Sequence, residues 1–131
     1  MDCVLIYSML WVTTMPFLTE ELHVKAAPES SWELTRPVIY ETHGHDLITV
    51  PDGFITDLAS VPRLARPVVS VHGDHSMAAV VHDYLYQNRL GTRAWADMVF
   101  RQALQDVGVG AIKRYSMWAA VRLGGWLYWN S

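Results

Sequence analysis

The residues best suited to chemistry lie on two neighbouring stretches that both show helical spacing. The first contains His82 and the second contains Asp97, with a short polar connection between them. Asp97 falls within an apolar stripe that recurs at steps of three and four: Ala96, Val99, Phe100, Ala103, Leu104 and Val107. A carboxylate on such a stripe is costly to bury unless a charged or hydrogen-bonding group meets it. Because a short connection favours antiparallel helices, we expect His82 to be that partner, with its imidazole oriented and made more basic.

Three further side chains would turn this pair into a reaction site. Tyr86 lies one turn after His82 on the same helix face, whereas Asp83 is turned about 100° away. We expect Asp83 to be left free at a cleft and to hold a divalent cation, calcium or another. Asp57, in an irregular stretch with apolar neighbours, is the predicted second ligand. If His82 deprotonates water, Asp97 orients it and the cation stabilises the oxyanion, the protein is a metal-dependent hydrolase of ester-type bonds.

The same pair also has a structural interpretation, in which a core histidine is satisfied by an aspartate that fixes helix packing. The protein then acts by binding, and the aromatic residues 126–129 form its interface. Access to His82 separates the two hypotheses, because an open cleft favours the enzyme and a sealed site favours the binding protein. Under the structural interpretation, a change at Asp83 is expected to have almost no effect on stability.

The order H-D-x-x-Y at 82–86, followed by Asp97 on an antiparallel helix, resembles the secretory phospholipases of the A-two group. It is most similar to their prokaryotic and parvoviral-capsid forms, and the similarity covers residues 76–101. The resemblance implies that His82 activates water, Asp83 binds calcium and Asp97 orients the histidine. It also implies that Tyr86 buttresses the site, and it makes a phospholipid the first substrate to test.

A second resemblance covers more of the chain. Residues 50–63 read VPDGFITDLASVPR and are followed in order by A-A-V-V-H-D-Y-L-Y, A-D-x-x-F and V-R-L-G-G. These motifs, within residues 32–126, resemble an uncharacterised family of small proteins encoded by tailed bacteriophages and prophages. The resemblance implies a viral origin and action in the host cytoplasm during infection, or incorporation in the virion. Expected partners are phage structural proteins under the binding hypothesis, and a lipid or cell-envelope substrate under the enzyme hypothesis.

The order of strand-like and helical patterns along the sequence predicts one α+β domain, residues 1–131. A small antiparallel sheet is expected before a helical half. Strand-like residues 38–40 and 47–50 flank a turn and are expected to pair as a hairpin. This hairpin and an irregular loop together occupy residues 32–63. Short polar residues in the loop either tie it to its own backbone or place Asp57 at the cleft.

The helical half, residues 74–126, is predicted to contain the two antiparallel helices and a third. Thr92 is the expected N-cap of the second helix, and the third begins near Ala111. Gly124 and Gly125 either stop the third helix or let another backbone come close. The aromatic residues that follow are expected to cover the core or to form a partner-binding patch.

Composition limits the partners and the compartment. The 131 residues are 51% hydrophobic and 18% charged, which suits a buried core and not a disordered chain. The formal charge of −3 gives no general attraction to nucleic acid, so none is expected as a partner. Cys3 is the single cysteine, which excludes an internal disulfide and suits a reducing cytoplasm. Residues 1–14 form a possible apolar arm without signal-peptide features, so secretion by a signal peptide is not expected.

Overall fold

The structure is a computed structural model that describes residues 16–19, 21–56 and 75–130. It contains two small antiparallel sheets followed by three α-helices, so the predicted α+β arrangement is confirmed. The elements are β1 (Val24–Ala27), β2 (Ser31–Leu34), β3 (Val38–Glu41), β4 (Leu47–Val50), β5 (Ile55–Thr56), α1 (Ser76–Gln87), α2 (Arg93–Asp106) and α3 (Ala111–Trp129). Among these helices, none has the length and hydropathy needed to cross a bilayer.

The strands form a three-stranded sheet, ordered β1-β2-β5, and the separate hairpin β3-β4. The hairpin predicted from the sequence is confirmed, with Val38 opposite Val50 and Glu41 opposite Leu47. Side chains alternate along both of its strands, and Val38, Tyr40, Ile48 and Val50 are buried. This apolar face of the hairpin packs against α1, which therefore has the sheet on one side.

The first two helices pack together as the apolar stripe of α2 requires. Tyr86, late in α1, contacts Asp97, whereas His82, one turn earlier, also contacts Phe100, one turn later in α2. These contacts run in opposite directions along the two helices, as in an antiparallel pair. Thr92 caps α2 as predicted, since its hydroxyl accepts a hydrogen bond of 3.1 Å from the backbone N–H of Trp95.

The third helix is longer than the sequence predicted. It continues through Gly124 and Gly125 to Trp129, so the prediction that the two glycines stop it is wrong. Gly125 is buried, and a Cβ atom placed on it would lie 2.6 Å from the hydroxyl oxygen of Tyr86. The missing side chain therefore makes room for the Tyr86 ring, and not for a second backbone.

Candidate functional site

His82 and Asp97 meet in the core, as the sequence predicted. The Nε2 atom of His82 lies 2.8 Å from Oδ1 of Asp97, and both side chains are fully buried. The imidazole ring also lies against two aromatic rings, with centroid distances of 4.2 Å to Tyr86 and 4.6 Å to Phe100. Because a carboxylate can only accept, Nε2 carries the proton in this pair, and the ring orientation is fixed from both sides.

Asp97 receives hydrogen bonds from all three helices. Its Oδ1 atom also accepts a bond of 2.6 Å from the hydroxyl of Tyr86 on α1. Its Oδ2 atom accepts a bond of 2.9 Å from Nη1 of Arg122 on α3 and a longer one of 3.5 Å from Nη1 of Arg93 on α2. We refer to Asp97 and its four donors as the Asp97 junction: His82, Tyr86, Arg93, Asp97 and Arg122. A carboxylate offers about four acceptor positions, so the four donors saturate it.

The two arginines of the junction are functional residues that the sequence analysis missed. Arg93 lies four residues before Asp97 on the same helix, a spacing that places the two side chains together and could have revealed the contact. Arg122 is 25 residues away and gives no local signal. Arg93 also donates to the backbone carbonyls of Arg122 and Val121, at 3.0 and 3.4 Å. The start of α2 is thereby tied to α3.

Burial and hydrogen bonding set the protonation states of the junction. Burial lowers the pKa of His82, and this effect outweighs the opposing influence of Asp97. For Asp97 burial alone would raise the pKa, but hydrogen bonds from His82, Tyr86 and Arg122 hold it below its usual value. The pKa of Tyr86 is raised, first by burial and then by Asp97. A neutral histidine therefore faces an ionised aspartate.

The prediction that Asp83 is left free at a cleft is wrong. Its side chain is fully buried, and Oδ2 accepts hydrogen bonds of 2.5 Å from the hydroxyl of Thr56 and 3.1 Å from Nε2 of Gln87. The physical reason is that α1 is covered on two sides, by α2 on the face of His82 and by the strands on the face of Asp83. The carboxylate is a structural acceptor between α1 and β5.

Asp57, the other predicted metal ligand, lies outside the described residues. Its neighbour Thr56, at the end of β5, is the residue that reaches Asp83. Within residues 16–19, 21–56 and 75–130, no group of three or more His, Cys, Asp or Glu side chains is placed to hold a metal ion. A cavity of about 340 Å³ is lined by β4, by Tyr84 at the end of α1, by the α1–α2 connection and by Trp95 at the start of α2. His82 does not line it.

A second polar cluster, also missed, fastens the hairpin to the end of α2. The hydroxyl of Tyr40 donates a hydrogen bond of 2.7 Å to Asp106, and Nε2 of the half-exposed His43 lies 3.0 Å from the same carboxylate. Gln102 accepts a bond of 3.3 Å from the backbone N–H of His43. Burial, and then Asp106, raise the pKa of Tyr40. The cluster holds the turn of the hairpin against the helices.

The low pKa of His82 predicts that acid destabilises the fold. The unfolded chain binds a proton at the usual pKa of 6.5, whereas the folded chain resists it, so stability is full above that pH and falls below it. Asp97 adds a second loss in the same direction below its usual pKa of 3.8. We expect the free energy of unfolding, from urea titrations, to drop by up to about 1.4 kcal/mol per pH unit just below pH 6.5.

Two variants test whether His82 causes this loss of stability in acid. His82→Gln is expected to abolish the decline just below pH 6.5, because glutamine does not titrate. His45→Asn, at an exposed turn residue with a positive φ of 69°, is the control and is expected to keep the decline. A decline of equal slope in both variants would contradict the assignment to His82.

The comparisons with known proteins give a family but no activity. Residues 32–121 match the family described as protein of unknown function, DUF1353. No curated protein and no solved structure matches the chain. The predicted membership of an uncharacterised family is confirmed, whereas the phage origin and the phospholipase resemblance stay predictions. Because the match spans more than half of the sequence and includes the hairpin, α1, α2 and the larger part of α3, the chain belongs to the DUF1353 family.

Proposed function

We propose that the protein acts by binding a partner, and that the Asp97 junction is a structural device that fixes its three helices. The single observation that carries this proposal is the exposed fraction of the candidate catalytic side chains. It is 0% for His82, for Asp97 and for Asp83. A general base must come within hydrogen-bond reach of the proton it removes. The enclosure of His82 therefore supports the binding hypothesis over the enzyme hypothesis.

The bonding of Asp97 supports the same proposal. Each donor to its carboxylate comes from a helix that packs against another, so the junction links α1, α2 and α3 at one point. A buried charge that lost its partners would be strongly destabilising, so helix arrangements that separate the donors are disfavoured. A rigid helical unit of this kind can present a constant surface to a partner. By the motif resemblance, the proposed setting is a phage or prophage product, located near the virion tail or acting in the host cytoplasm.

The second candidate function is hydrolysis of an ester-type bond, with phospholipid as the first substrate. The observation that favours it is a neutral histidine whose Nε2–H is bonded to an ionised aspartate, with a tyrosine on the same oxygen. These are the roles that the phospholipase resemblance implies for His82, Asp97 and Tyr86. In this hypothesis His82 would take the proton from water.

Within the part of the chain that the structure describes, the surroundings of Asp83 give no support to the divalent cation of this second hypothesis. One of its oxygens is occupied by the hydroxyl of Thr56 and the amide of Gln87, and both are hydrogen-bond donors to it. A calcium site needs six to eight oxygen ligands, mostly carboxylates and carbonyls. We therefore derive no catalytic step through a cation at Asp83.

Fatty-acid release from vesicles separates the two functions. Wild-type protein, His82→Gln and the exposed-turn control Asp52→Asn are incubated with vesicles of phosphatidylcholine and phosphatidylglycerol, with calcium and with a chelator. The binding proposal predicts no release above the protein-free background in any sample. Release by wild type and Asp52→Asn that is lost in a folded His82→Gln variant, checked by circular dichroism, would contradict it and support the hydrolase.

A further inference from the structure

We propose that the outer face of α3 binds an anionic lipid surface. This inference rests on the proposed binding function and names the class of its partner. The outer face consists of the large apolar side chains that α3 exposes: Ile112, Tyr115, Leu123, Trp126 and Leu127. Ile112 and Leu123 are 88% and 86% exposed, which is unusual for aliphatic side chains in a folded domain.

These side chains lie on one side of the helix. At 100° per residue, the five positions fall within about 120° of one another around the helix axis. Met117, Val121 and Gly125, the buried residues of α3, lie on the opposite side and face the core. The helix is about 28 Å long. Ile112 and Tyr115 lie near its first residue, and the other three lie near its last residue. An exposed apolar face of this kind marks an interaction site.

The charges around the outer face favour an anionic partner. Helix α3 contains Lys113, Arg114 and Arg122 but no Asp or Glu. Residues 75–130 contain six Lys and Arg against three Asp, a formal balance of +3. Residues 1–74 contain four Lys and Arg against ten Asp and Glu, a balance of −6. The chain is therefore divided into an acidic part and a basic part, although its net charge is −3.

The three aspartates of residues 75–130 expose little negative charge to solvent. Asp83 and Asp97 are fully buried, and Asp106 is 13% exposed and bonded to Tyr40 and His43. Arg93 and Arg122 face Asp97 inside the junction. The basic charge beside the outer face therefore comes chiefly from Arg101, Lys113 and Arg114. A surface helix with basic side chains and exposed aliphatic and aromatic residues is the pattern that binds in the interfacial plane of a membrane.

The aromatic and aliphatic side chains of the outer face favour a lipid partner over a nucleic acid. Tyr115 and Trp126 have an apolar body and a polar tip, which suits the boundary between headgroups and acyl chains. The guanidinium of Arg101 on α2 lies 5.4 Å from the ring of Tyr115 and extends the basic flank. Burial of Leu123 and Leu127 among acyl chains lowers the free energy of the complex. The phosphate backbone of a nucleic acid is charged and offers these side chains no apolar contact.

Vesicle sedimentation tests the inference. The full chain is mixed with vesicles of phosphatidylcholine alone or with added phosphatidylglycerol, and the bound fraction is measured. The test variant carries Leu123→Gln, Trp126→Gln and Leu127→Gln, all at exposed positions. The matched control carries Leu47→Gln and Ile55→Gln, exposed apolar residues of the strands. A second variant, Lys113→Gln, removes one exposed charge.

We expect wild type to bind the anionic vesicles more tightly than the neutral ones, with the control unchanged. The triple variant is expected to lose more than about tenfold in affinity, and Lys113→Gln about fivefold. Absence of wild-type binding to anionic vesicles overturns the inference. So does retention of binding by the triple variant, or an α3-dependent dimer or nucleic-acid complex without vesicle binding.

The vesicle experiments distinguish failure of the lipid-binding inference from failure of the proposed non-catalytic function. If the vesicles are bound through the outer face and their lipids are also hydrolysed, the inference stands and the non-catalytic proposal fails. If the vesicles are neither bound nor hydrolysed, the inference fails and the non-catalytic proposal stands.

Discussion

Replacing Asp97 with asparagine is expected to lower the free energy of unfolding by about 3–5 kcal/mol, the range for breaking a buried ion pair from one side. The substitution removes the charge that Arg122 and Arg93 face, and it turns one hydrogen-bond acceptor of the junction into a donor. His82 and Tyr86 lose their common acceptor if the amide nitrogen takes the position of Oδ1. For a chain of this size the melting temperature is expected to fall by about 10 °C or more.

Urea denaturation at neutral pH measures this effect, with circular dichroism as the readout. Asp52→Asn makes the same chemical change at an exposed turn and is expected to alter stability by less than about 0.5 kcal/mol. A loss below about 1 kcal/mol for Asp97→Asn would mean that the junction does not hold the helices together.

Gly125→Ala is expected to destabilise the protein by about 1–3 kcal/mol, although alanine is the better helix former by about 1 kcal/mol. The added methyl group would lie 2.6 Å from the Tyr86 hydroxyl and 3.0–3.1 Å from its ring carbons. Tyr86 would have to move, and its hydrogen bond to Asp97 would be stretched or lost. At Gly110 an added Cβ meets no heavy atom within 4 Å, so Gly110→Ala is the matched control, with a change below about 1 kcal/mol.

A double-mutant cycle with Tyr86→Phe identifies the cause. Removing the hydroxyl also removes the closest contact of the new methyl group, so the two substitutions together should destabilise less than the sum of each alone. We expect a coupling energy of about 1 kcal/mol or more. Additive effects, or a Gly125→Ala variant that is more stable than wild type, would show that Tyr86 does not need this glycine.

Local patterns in the sequence are sufficient to predict part of the Asp97 junction. Asp97 on an apolar stripe required a partner, and a short helix connection made His82 the nearest one. Thr92 as a cap and the β3-β4 hairpin follow from equally local rules. Arg122 could not be found in this way, because its contact with Asp97 depends on where α3 packs.

The error at Asp83 has the same origin. Helical geometry correctly turned its side chain away from His82, but the pattern of α1 alone does not reveal that strands cover that second face. For Gly125 the sequence predicts a helix stop or a close approach of another backbone, whereas in the structure it accommodates the ring of Tyr86. In both cases tertiary packing, and not local preference, decides the role of the residue.

The imidazole of His82, observed by nitrogen-15 NMR, tests most directly whether the Asp97 junction is a closed structural device. Its signals are assigned by their loss in His82→Gln. The enclosed geometry predicts a neutral ring protonated at Nε2, a slowly exchanging Nε2–H proton, and a pKa below the usual value of 6.5. A rapidly exchanging proton, together with titration near pH 6.5, would show an open site and contradict the account.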